Sequence, residues 1–171
     1  MADSKRPVTN VTDSVREYYD SQGWKYLYDE EKGLFSMLME FSAEEIDACE
    51  VHTVVRDEER FTTFVTLPFK IPEKKRGLCA TYLSHVNYKL LQGCFEMDFR
   101  DGEVQYKSTC FCGNIRLEPL YIKQYIDVGI CMTETYGPGL VAVLFKDRTI
   151  DDVLERVARL RDYHSGQENN L

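Results

Sequence analysis

The chain has no apolar run long enough to cross a bilayer. The longest, Leu140 to Phe145, falls far short of the ~20 residues a spanning helix needs. Positive charge is also scarce: 21 Lys and Arg face 29 Asp and Glu, a net charge of −8. That balance argues against nucleic acid, whose affinity comes largely from cations meeting phosphates. Histidine is limited to His52, His85 and His164. His52 falls on a predicted strand, His85 lies off the apolar stripe of its helix, and His164 is in the tail. There is no C-x-x-C, G-x-S-x-G, HExxH or P-loop. The acidic runs Asp57-Glu58-Glu59 and Asp151-Asp152 read as a solvated bend and a helix start, where negative charge is favoured. These absences point away from an enzyme, a cofactor and a metal site. The opening MADSKRPVTN has no signal-peptide pattern, so the expected compartment is cytoplasmic.

Cysteine is present but unpaired in pattern. Cys49, Cys79, Cys94, Cys110, Cys112 and Cys131 leave only Cys110 and Cys112 close together, two apart on a strand and so on one face. A thiolate metal pair there lacks the His or second close Cys pair that would complete it. Buried reduced thiols in a reducing compartment are expected instead.

What the chain does have is a helix joined to a hairpin, Leu83 to Cys112. Asp101-Gly102 between alternating apolar runs is a hairpin signal, because a type I′ turn needs positive φ at both central positions. A two-residue loop there pairs Phe99 with Val104, Met97 with Tyr106 and Phe95 with Ser108 on an apolar face. Asp98 then faces Gln105, and Glu96 faces Lys107. In the helix from Glu73, the residues Cys79, Leu83, Val86 and Leu90 form a buried stripe, with Pro72 at its start and Gly93 just beyond its end. Asn87 sits at the edge of that stripe. Its amide either binds a ligand or pins the helix to the sheet, and the second is expected.

The remaining pattern supplies the architecture. Val11 to Gln22 is a helix. Trp24 to Tyr28, Leu34 to Phe41, Ile46 to Arg56 and Arg60 to Leu67 are strands. A helix runs from Pro119 to about Tyr136 and is broken by Gly137-Pro138-Gly139. Leu140 to Phe145 follows as a short buried segment. Thr149 with Asp152 resembles a capping box opening a helix on Ile150, Val153, Leu154, Val157 and Leu160. The order predicts an α+β fold with a mainly antiparallel sheet of about six strands and helices packed on one side. One domain is expected over 10–163, between flexible tails at 1–9 and 164–171.

Two features suggest binding. Lys70, Lys74, Lys75 and Arg76 cluster at a helix start, where the macrodipole disfavours cations, and suit an acidic partner segment or a solvated face. Phe35, Met37 and Met39 line one side of a strand, and Met adapts to varied clients when exposed, although such a strand is more often core.

The run L-x-x-x-N-Y-K-L-L-x-G-x-F-E-M-D, carried by Leu83, Asn87 and Gly93 to Asp98, is followed by DGEVQYK. This resembles the YbjN domain family of candidate bacterial sensory-transduction regulators, over Trp24 to Asp162. Asn87, Gly93, Asp101 and Gly102 are its structural signature here. The resemblance implies a fold similar to type III secretion chaperones, dimer-prone and without a catalytic centre. The expected function is a non-enzymatic regulatory or chaperone-like domain, a homodimer acting through contacts with a protein client. The alternative is a small-molecule-sensing module with an apolar pocket. The second glycine of Gly137-Pro138-Gly139 departs from the family pattern, making the helix break sharper.

Overall fold

A computed structural model describes residues 11–168 apart from 42–44, 58, 114–116 and 147, with backbone alone for 160–168. Helix α1 (Val11–Ser21) buries Val11, Ser14, Val15, Tyr18 and Tyr19, one stripe at steps of three and four. Four strands follow: β1 (Leu27–Asp29), β2 (Leu34–Glu40), β3 (Ala48–Asp57) and β4 (Arg60–Lys70). Then come α2 (Glu73–Asn87), β5 (Cys94–Met97), β6 (Glu103–Phe111), α3 (Pro119–Phe145) and α4 (Ile150–Glu168). The strands form one antiparallel sheet in the order β1-β2-β3-β4-β6-β5. The α+β fold is as the sequence predicts.

The pleat divides the sheet into two faces. Register places Met37, Val51, Val65, Tyr106 and Phe95 in one cross-strand row, and Phe35, Thr53, Thr63 and Ser108 in the next. All of these are buried beneath the helices. Helix α3 packs on β4 and β6, α2 on β5 and α3, α1 on β3 and α3, and α4 on α3. Each large side chain buried there contributes about 1.5–3 kcal/mol.

Five details differ from expectation. The strand expected from Trp24 is reduced to Leu27–Asp29. Trp24 and Tyr26 instead turn their rings edge-on to Tyr19, at centroid distances of 5.3 and 5.2 Å, which draws the segment off the sheet edge.

The hairpin is slipped by two residues. Phe95 faces Tyr106 and Met97 faces Val104, because the loop spans Phe99 to Gly102 rather than Asp101-Gly102 alone. Asp98 closes it: its carboxylate accepts the Arg100 backbone N–H at 2.8 Å, and its carbonyl accepts the Gly102 N–H at 2.7 Å. Phe99 is consequently 58 % exposed.

Gly93 does not cap α2, which ends at Asn87. Its φ of 66° and the closeness of Tyr106 leave no room for a side chain.

Gly137-Pro138-Gly139 does not break α3, which continues to Phe145. The glycines serve packing, Gly137 against Ile46 and Gly139 against Tyr82, while the Tyr82 hydroxyl donates to the Tyr136 carbonyl at 2.8 Å. Unbroken, α3 has the length and hydropathy of a membrane span, although 56 % of its apolar window is buried within the protein.

Finally, α4 runs through Glu168, past Leu160, the last apolar position of its expected stripe. The tail at 1–9, the side chain of Leu160 and residues 169–171 lie outside the described residues.

Candidate functional site

Asn87 ends α2 beside the first residues of β5. Its amide N–H donates to the Phe95 carbonyl and its oxygen accepts the Phe95 N–H, both at 2.8 Å. The side chain thus pairs with the strand as a peptide group would, tying helix to sheet. Gly93 lets the chain pass over Tyr106, whose hydroxyl donates to the Gln92 carbonyl. Gly102, at φ 82°, closes the hairpin loop hard against the Ile71 carbonyl, and its own carbonyl accepts the Ile71 N–H at 2.8 Å. These signature positions join α2, β5 and β6.

The basic cluster is largely engaged within the chain. Lys70 pairs with Asp101. Arg76 donates to the carbonyls of Ile71 and Phe99, at 3.1 and 2.8 Å. Lys74 is exposed and Lys75 half-buried. The Phe35, Met37 and Met39 strand is turned to the core: Phe35 and Met37 are buried, Met39 half-buried, and Phe35 stacks among Tyr19, Tyr26 and Tyr28. Tyr19 of α1 packs edge-on against Phe35, with ring centroids 5.5 Å apart.

Titratable groups in the interior are held neutral. Burial pushes the Cys49 thiol up to about 12 and the Cys110 thiol up to about 11. Desolvation pushes the Tyr19 and Tyr106 phenols up to about 12. Tyr19 shares a hydrogen bond with Thr53 at 2.8 Å, and Thr53 with Thr63 at 2.9 Å, so the buried hydroxyls form a satisfied row. Cys110 and Cys112 are buried as expected, whereas Cys131 is exposed and Cys94 half-buried. Among the described residues, no group of three or more His, Cys, Asp or Glu is placed to hold a metal ion. Among the described residues, one open surface depression is lined by Lys89, Asp151, Leu154, Glu155 and Ala158, and another by residues 96–100 of the hairpin with Glu103 and Gln105. Charged side chains dominate both, which does not make an apolar pocket.

Periodicity alone did not single out the outer face of the sheet. Among the described residues no helix covers its central strands, and it carries apolar side chains into solvent. Leu27 is 78 % exposed, Leu38 66 % and Phe111 74 %, and Leu34, Val54 and Phe64 are half-buried on the same side. Leu38 lies directly across from Glu50 and two residues from Glu40. Thr62 and Thr109 share a hydrogen bond at 3.0 Å in the middle of this face. The signal was in the sequence, since Leu34, Leu38 and Phe64 occupy the alternate, nominally polar positions of their strands.

No protein-family model matches the chain, and no curated protein matches it. Solved structures do. A chain of the ExoT–SpcS complex from Pseudomonas aeruginosa is 11 % identical, with 75 % of this chain and 97 % of that one covered, at a TM-score of 0.47. The crystal structure of YbjN, a candidate transcription regulator from E. coli, is 10 % identical and aligns over 74 % of this chain and 91 % of its own, at a TM-score of 0.51. At that identity the likeness concerns the backbone, and there it is specific: the helix–sheet arrangement described above is the fold of YbjN.

Proposed function

We propose that this protein is a non-enzymatic, cytoplasmic bacterial regulatory or chaperone-like domain, a homodimer that acts by binding a protein client. The observation that carries this reading is the outer face of the sheet. A soluble domain seldom leaves Leu27, Leu38 and Phe111 so exposed on one surface unless that surface meets something. Its chemistry favours one kind of occupant: a protein segment with apolar side chains flanked by Lys or Arg. Leu27, Leu34 and Leu38 supply apolar contact, while Glu40 and Glu50 border Leu38 on a chain whose net charge is −8. The fold likeness to a candidate transcription regulator agrees with this class of role. The charged lining of both surface depressions does not favour small-molecule sensing.

The test compares the unaltered chain with Leu38→Lys/Phe111→Lys after purification from its native host. Light scattering gives the mass, and mass spectrometry with cross-linking identifies what is bound and where. The expected result is a dimer carrying one discrete protein, cross-linked through β2 and β3 and absent from the variant. A monomer holding a small molecule would overturn the reading, as would equal client binding by the variant.

A further inference from the structure

We infer that α2 guards the free edge of β5 and so prevents a second copy of this chain from adding to the sheet there. The edge can be read from the ladder. Asp98 N–H donates to the Glu103 carbonyl at 2.9 Å, so positions 98, 96 and 94 turn their backbone groups toward β6. Positions 95 and 97 therefore turn theirs outward, where a sheet would accept another strand.

Side chains of α2 already occupy one of these positions and the start of the loop just beyond the strand. Asn87, in its last turn, takes both the N–H and the C=O of Phe95 at 2.8 Å. Arg76, in its first turns, donates to the Phe99 carbonyl at 2.8 Å. The helix spans the edge and engages it near both ends, in the manner of a strand reduced to two side chains. Met97, between them, is the remaining outward position.

Other protections found on edge strands are missing here. β5 reads Cys-Phe-Glu-Met, with no Pro, no Lys and no bulge in its pairing. Glu96, its one charge, is engaged by Gln105 at 2.7 Å and by Lys107. Released from α2, this segment would present a mostly apolar edge, its one carboxylate already paired, that can join antiparallel with its own copy across a two-fold axis. The inward charge and proline devices of other edges are replaced here by an amide and a guanidinium.

The experiment uses the full chain with Asn87→Ala, and Asn87→Asp as a second variant that keeps an acceptor for the Phe95 N–H but cannot donate to its carbonyl. Mass is measured by light scattering across a concentration series, alongside hydrogen exchange at β5. The guard predicts an apparent mass rising to about twice that of the unaltered chain, with the Met97 amide gaining protection as mass rises. Adding Met97→Pro removes the outward N–H without touching the β6 ladder and returns the mass to that of the unaltered chain. If Asn87→Ala fails to fold, Asn87→Asp gives the reading. Unchanged mass in the folded variant, with faster exchange at Phe95 alone, would reduce Asn87 to a pin and sink the inference. Association that survives Met97→Pro would sink it equally, by placing the contact elsewhere.

Discussion

Both faces of the sheet carry Leu, Val and Phe, yet their environments are opposite. Val51, Phe61, Val65 and Tyr106 on the inner face are fully buried, whereas Leu38 and Phe111 on the outer face are mostly in solvent. Composition therefore does not decide burial; coverage by α1, α2 and α3 does. The inner face is the stability of the fold. The outer face adds little to it and is free for contact with another molecule.

Substitutions can break this contrast. Phe61→Ala should be the most damaging, costing about 3–5 kcal/mol through lost burial and the cavity left under Tyr125. Urea denaturation reads it, and a loss below about 1 kcal/mol would mean the inner face is looser than its packing indicates.

Alkaline titration comes next. Below the ordinary values of 9.0 for a thiol and 10.0 for a phenol, Cys49, Cys110, Tyr19 and Tyr106 are neutral in both states, and their contribution is fully present. Above those values the unfolded chain ionises first. Stability should therefore fall through the window up to about 12 reached by Cys49, Tyr19 and Tyr106 in the fold. The hairpin titrates the other way: Arg100 holds Asp98 down at about 2, so its share is present above 3.8 and lost as pH falls toward 2. A urea midpoint that stays flat across the alkaline window would contradict the sealed interior.

Thr63→Val should cost about 1 kcal/mol, because it removes one hydroxyl from the row while Thr53 keeps Tyr19 as partner. Thermal melting checks it. The smallest effect belongs outside: Leu38→Ser should shift stability by no more than about 0.5 kcal/mol in the same assay. A large loss there would show that the outer face is part of the fold after all.

The faces themselves were readable from the sequence, since alternation over Phe35, Met37 and Met39, or over Phe61, Thr63, Val65 and Leu67, fixes which side turns inward. The hairpin register was not. A slip of two residues leaves every side chain on its original face, so the hydrophobic pattern cannot distinguish the expected loop from the observed one. Bonds inside the loop decide between them: the Asp98 carboxylate to Arg100, the Gly102 N–H to the Asp98 carbonyl and Arg76 to the Phe99 carbonyl. The apparent break at Gly137-Pro138-Gly139 misled for a related reason. Glycine answers both to backbone bending and to close approach, and its neighbours Ile46 and Tyr82, distant in sequence, determine which applies. The exposed apolar face was hidden because alternation marks which side is apolar, and here both sides are.

Asn87 and Gly93 were marked by the resemblance as joints between helix and hairpin. Their partners, the Phe95 backbone for one and Tyr106 for the other, emerge only from the fold. The basic cluster shows the converse. Lys70 and Arg76 stand out by charge, yet Asp101 and the carbonyls of Ile71 and Phe99 account for them within the chain.

The placement of α1 also sets an order of events during synthesis. Tyr18 donates at 2.6 Å to Asp127, which lies 109 residues later in the chain. At a ribosomal rate of about 5–20 residues per second, α1 waits on the order of 5–20 s before α3 exists to receive it. During that interval Tyr18 is without the Asp127 acceptor, whereas Tyr19 already has Trp24, Tyr26 and Phe35 to pack against. One side of α1 is thus completed early and the other only when α3 arrives.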